Sequence, residues 1–86
     1  MSAARLRDLV DTMARALAND PQKVRVVEVD RHGSTLIEVY AAPRDVGKLI
    51  GRQGRTIAAM RTLAGLAAER ARCTVTVEVR DEPPER

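Results

Sequence analysis

Apolar residues recur at Leu6, Leu9, Val10, Met13, Ala14 and Leu17, the i, i+3, i+4, i+7 spacing of a helix with one buried stripe. The pattern predicts a helix over residues 3–18. Ser2 is placed to cap its start, and Asp11 and Arg15 are placed to pair one turn apart on its outer face. Asn19-Asp20-Pro21 ends it, because the residue before a proline is pushed out of the α region. The period then changes. Residues 24–30 are rich in valine and read as a strand, but Val24 and Val26 share one parity while Val27 and Val29 share the other. Either a bulge shifts the register or both faces are partly covered. Arg31-His32-Gly33-Ser34 supplies a tight turn, with Gly33 at positive φ. Residues 35–41 form the second strand of an antiparallel hairpin, with Ile37 and Val39 inward and Leu36 and Tyr40 on the opposite face beside Glu38.

Pro43 opens a short helix over residues 44–50, with Val46, Leu49 and Ile50 as its apolar side. A longer helix follows over residues 55–70, where Ile57, Met60, Leu63, Ala64, Ala67, Ala68 and Ala71 recur at helical spacing. Gly65 inside it costs roughly 1 kcal/mol relative to alanine, and close backbone approach is one reason to place a glycine there. Residues 73–80 alternate cleanly, Cys73, Val75, Val77 and Val79 against Thr74, Thr76, Glu78 and Arg80, which predicts a third strand with one buried face. The expected fold is α+β, ordered α-β-β-α-α-β, with three helices packed on one face of a three-stranded sheet. Residues 1–80 are expected to make one domain, and residues 81–86 a disordered, charged, proline-containing tail.

Composition narrows the chemistry. One tyrosine and no phenylalanine or tryptophan leave an aliphatic core. A single cysteine excludes an intramolecular disulfide, and a single histidine excludes a His/Cys metal cluster. No secretory signal or membrane-length apolar run is present, so a reduced, cytoplasmic setting is expected. No nucleophile–base pair or carboxylate dyad is discernible, so neither enzymatic activity, nor a cofactor, nor a small-molecule substrate is expected. His32 reads as a turn residue and Cys73 as core, and surface charge is sufficient to account for Arg61, Arg70 and Arg72.

The net charge of +3 is unevenly placed. From Arg44 to Arg72, seven basic residues face Asp45 and Glu69, a local +5 that leaves −2 for the remainder. At the centre of that basic segment lies Ile50-Gly51-Arg52-Gln53-Gly54-Arg55-Thr56-Ile57. Two glycines three apart, between two predicted helices, permit positive φ and remove side-chain bulk where a ligand would approach. The helix that follows directs its unpaired amides toward the loop. Backbone N–H groups near Gly51 to Arg55, with Lys48, Arg52 and Arg55, are therefore expected to hold phosphates. Bases would lie in a groove between the short helix and the sheet, lined by Ile50, Ile57 and Val39. The spacing fits neither a Walker A loop nor a dinucleotide fingerprint.

These residues resemble the KH-domain signature Ile-Gly-x-x-Gly-x-x-Ile, and the element order resembles its type II variant. With the chain's size, the resemblance extends to the small bacterial single-KH proteins of the KhpA family, over roughly Arg5 to Val79. It implies binding of short single-stranded RNA, the loop clamping about four nucleotides of backbone, in an RNA-chaperone or post-transcriptional regulatory role. It assigns the site to Lys48, Ile50, Gly51, Arg52, Gln53, Gly54, Arg55 and Ile57. It also implies a homodimer, or a heterodimer with a second KH protein of the KhpB (Jag) type. The competing reading is a protein-interaction or ribosome-associated assembly module that uses the same scaffold to dock a protein partner.

Overall fold

A computed structural model describes residues 3–81. The order is α1 (Ala3–Leu17), β1 (Arg25–Arg31), β2 (Ser34–Tyr40), α2 (Pro43–Ile50), α3 (Arg55–Arg70) and β3 (Thr74–Arg80), with short 3₁₀ turns at Pro21–Lys23 and Arg52–Gly54. This is the expected α-β-β-α-α-β order. The capping role expected for Ser2, and the tail from residue 82 onward, lie outside the described residues.

The sheet order is β1-β2-β3, β1 antiparallel and β2 parallel to its neighbour β3. Pairing of β1 with β2 runs unbroken from Arg25↔Tyr40 to Arg31↔Ser34, so no bulge resolves the mixed parity of the valines. Both faces of β1 are partly covered instead. Val24 is fully buried just ahead of the strand and Val26 packs on the core, while Val27 and Val29 are half-buried on the other face. His32 (φ 44°) and Gly33 (φ 88°) both adopt left-handed backbone, the geometry of a two-residue hairpin turn whose twist matches its strands.

The core draws Leu6, Val10 and Ala14 from α1, Ile37 and Val39 from β2, Leu49 from α2, Ile57, Met60, Ala64 and Ala68 from α3, and Val77 from β3. Cys73 packs against it, partly buried. Leu36 and Tyr40 face away from the helices as expected, and are nonetheless buried, because β2 is the central strand and neighbours flank it on both sides. One expectation is corrected. Leu63, at helical spacing with the core residues, is 50% exposed, since the alanines beside it carry the contact with the sheet.

The Asp11–Arg15 pair forms, at 2.9 Å. Arg15 also donates to the carbonyls of Pro21 (2.6 Å) and Val24 (2.8 Å), fastening the end of α1 to the approach to β1. Asp45, in the first turn of α2, is fully buried and accepts the backbone N–H groups of Asn19 and Asp20. Charge-assisted bonds of this kind are among the stronger ones in a small domain. Together they fix where α2, and the loop it leads into, sits relative to α1.

Candidate nucleic-acid interface

Helix α2 begins with Pro43, whose missing N–H costs nothing in a first turn. It ends where Gly51 turns to φ 82°, ψ 168°, a conformation open to glycine and closed to residues with a Cβ. An added Cβ there would meet Thr56 Oγ1 at 2.2 Å and the Thr56 backbone nitrogen at 2.8 Å. The chain therefore folds back tightly on the first turn of α3. Gln53 (φ 57°) and Gly54 (φ 72°) follow in left-handed backbone, and α3 starts at Arg55. Holding a non-glycine residue such as Gln53 there costs of order 1 kcal/mol, and such strain concentrates where a loop has a binding task.

The amides of this loop are not all open. Gly51 N–H donates to Gly47 O (2.8 Å), Gly54 N–H to Gly51 O (3.0 Å), and Arg55 N–H to Arg52 O. The expectation that the amides near Gly51 to Arg55 hold phosphates is narrowed accordingly: the end of α2 uses that of Gly51, and the 3₁₀ turn uses those of Gly54 and Arg55. Arg52 and Gln53 lead that turn, and leading amides have no partner within it. Their side chains are exposed.

Beside the loop, Ile50, Ile57, Arg61, Glu78, Val79 and Arg80 line an open groove of about 520 Å³. Ile57 is 93% buried and forms part of its floor, whereas Ile50 keeps 38% of its surface exposed at the rim. Val39 does not line it. It is wholly buried beneath the helices, because its strand is central and the groove opens at the outer strand β3. Residues Glu78 to Arg80 take that place, and Arg61 joins them from α3. The available signal for Arg61 was its position one turn beyond Ile57 on the same helix face.

The expected cations separate. Arg52 sits in the loop itself. Arg55 donates to Gln53 Oε1 (3.2 Å), and lines not the groove but a second, apolar cleft between α1 and α3 with Met13, Leu17 and Leu63. Lys48 reaches toward the end of α1, its Nζ 2.9 Å from Asn19 Oδ1. No carboxylate pairs with Lys48, Arg52, Arg55 or Arg61 among the described residues, so their charges face solvent unneutralised. Also among those residues, no helix is long and apolar enough to cross a membrane, and no cluster of three potential metal ligands occurs.

Comparison with known proteins matches residues 7–79 to the family model described as KhpA/KhpB, KH domain. The chain is 46% identical over 72 residues to the RNA-binding protein KhpA of Caldanaerobacter subterraneus subsp. tengcongensis, covering 84% of this chain and 96% of that protein. It is 39% identical to the RNA-binding protein KhpA of Clostridium acetobutylicum (86% and 99% covered) and 40% identical to that of Halalkalibacterium halodurans (88% and 100%).

Proposed function

The chain belongs to the KhpA/KhpB family of KH domains, and from that premise we propose that it binds single-stranded RNA, gripping the backbone with Gly51-Arg52-Gln53-Gly54. The observation that carries the reading is the left-handed turn from Gly51 to Gly54 beside a groove walled by Ile50, Ile57 and Val79. Phosphates meet the leading amides of the turn and the guanidinium of Arg52, with Arg55 and Lys48 adding charge from its flanks. Bases fall across the aliphatic wall. Such contacts fix register and orientation without reading sequence. With one aromatic residue in the chain, stacking contributes little and a single copy binds weakly. The function is that of a cytoplasmic RNA chaperone or post-transcriptional regulator, not of an enzyme.

Weak single-site binding makes avidity valuable. Self-association, or pairing with a second KH protein of the KhpB type, supplies it. The exposed apolar surface of Leu17 (38%) and Leu63 (50%), which line one apolar cleft, supports that part of the reading, since scattered single leucines are ordinary but two on one cleft are not. Sedimentation of the wild type and of Leu63→Asp tests it, a monomer in both cases removing the claim.

The central test replaces Arg52 and Gln53 together by Asp. The loop is exposed, so circular dichroism and thermal melting should be unchanged while binding to a single-stranded RNA octamer at low salt is lost. Undiminished binding would remove the loop from the function. Purification of the tagged protein with and without nuclease treatment separates this from a protein-docking role: associations carried by RNA disappear on digestion, and a direct protein partner survives.

A further inference from the structure

Strand β3 has a free edge, and the groove opens along it. Arg80 O accepts from Ala41 N at 3.3 Å, so the even-numbered residues of β3 turn their peptide groups toward β2. Alternation along a strand then turns the amides and carbonyls of Val75, Val77 and Val79 outward. One of these is already taken: Arg61 Nε donates to Val77 O at 3.1 Å, across the edge from α3. This bond uses one of the five donors of a guanidinium. It also fixes the plane of the group, because a second anchor at Nε stops it rotating about its stem. The two terminal nitrogens remain, and no carboxylate claims them among the described residues. Arg61 lines the same groove as Ile50, Ile57 and Val79, one turn further along α3 than Ile57 from the Gly51–Gly54 turn.

Resting on the RNA-binding reading above, we propose that Arg61 is the residue by which this groove selects among bases. Its terminal nitrogens present two parallel donors, a shape met by a base edge that carries two adjacent acceptors. Cytosine has such an edge in O2 and N3, and guanine in N7 and O6. Adenine has no edge with two adjacent acceptors, N1 and N7 each lying beside its amino group and N3 standing alone, and uracil separates its two carbonyls by an N–H. The groove therefore favours cytosine or guanine at one position and disfavours adenine and uracil there. A lysine cannot reproduce this, being a point charge without the planar fork.

The test uses the full chain and four RNA octamers, oligouridine and three in which one central uridine is replaced by cytidine, guanosine or adenosine. The wild type should bind the cytidine or the guanosine octamer roughly 5- to 150-fold more tightly than oligouridine, the range of one bidentate arginine–base contact. The four-way comparison separates the two bases. Arg61→Lys should bind all four octamers alike, near the oligouridine level, and Arg61→Ala alike but more weakly. Because each ratio is taken within one variant, loss of stability on freeing the Val77 carbonyl does not mimic the result. Persistence of the preference in Arg61→Lys, or a wild type that binds all four equally, overturns the proposal while leaving RNA binding intact. A wild type that binds none of the octamers overturns the functional reading and the proposal together.

Discussion

Asp45 Oδ1 accepts the backbone N–H of Asn19 at 3.1 Å, and Oδ2 accepts that of Asp20 at 3.0 Å, from a side chain with no exposed surface. The carboxylate thus closes the end of α1 onto the start of α2, and Lys48, one turn further along, holds the Asn19 side chain from outside. The loop begins three residues after Lys48, so this clasp sets the position from which it projects.

Replacing Asp45 by Asn keeps the shape but puts an amino group opposite one of the two N–H donors. A buried donor left without its acceptor costs about 1–3 kcal/mol. Urea unfolding of Asp45→Asn should show a loss of that size, with the slope unchanged. An unaltered midpoint would mean that water replaces the lost acceptor at no cost.

The two loop glycines answer to different constraints, although both have positive φ. At Gly54 nothing lies within 4 Å of an added Cβ, so Gly54→Ala carries only the left-handed backbone penalty, about 1 kcal/mol. At Gly51, whose φ 82° and ψ 168° lie in a region essentially confined to glycine, a larger backbone penalty is joined by overlap with Thr56, including its backbone nitrogen, which cannot rotate away. Thermal melting should therefore rank Gly51→Ala well below Gly54→Ala. Equal melting temperatures would show that the loop rearranges freely.

Glycines inside helices give the opposite expectation. Gly47 in α2 and Gly65 in α3 have no positive φ, and open space surrounds an added Cβ at both. Close backbone approach therefore does not account for Gly65. Gly65→Ala should stabilise the chain by up to about 1 kcal/mol through helix propensity alone, and a higher melting temperature with unchanged RNA affinity is the expected result.

How far the chain could be read in advance follows from the range of each interaction. Local periodicity was enough for α3, whose limits at Arg55 and Arg70 match the expected ones, and for Ile37, Val39 and Val77 as inward residues. The Gly51–Gly54 turn was visible because glycine spacing is a local signal. Sheet order was not local. Once β2 is central and β3 outer, Leu36 and Tyr40 become buried, Val39 leaves the groove and Val79 enters it. Asp45 entered the sequence reading only as a charge. An acid in the first turn after Pro43 hinted at a helix-start role, but its partners lie 25 and 26 residues earlier and nothing local names them.

Tyr40 supplies a pH dependence. Burial first, and the carboxylate of Glu38 next, raise its pKa above the ordinary 10.0. The folded chain keeps this proton where the unfolded chain releases it. The stability linked to Tyr40 is thus fully present below pH 10.0 and is lost as pH rises through the folded value. Because it is the only tyrosine, tyrosinate absorbance follows this one group. Urea midpoints should fall on the alkaline side for the wild type and fall less steeply for Tyr40→Phe. An unshifted absorbance titration would contradict the burial argument.

The last expectation concerns salt, and it separates a phosphate clamp from an apolar docking surface. Neutralising phosphates of a single strand releases counterions, so the logarithm of affinity falls with the logarithm of salt by about 0.7 per phosphate contacted. A loop holding two to three phosphates should give a slope of roughly −1.4 to −2.1 on this scale. Arg52→Ala should reduce its magnitude by about 0.7, since Arg52 sits in the turn itself. Lys48→Ala should reduce it less, because the ammonium already spends one donor on Asn19 Oδ1. Fluorescence anisotropy of a labelled octamer over a range of potassium chloride concentrations measures all three slopes. Binding that is flat in salt for the wild type would place the affinity in the leucine-lined α1–α3 face rather than in the turn, and would transfer the function to a protein partner.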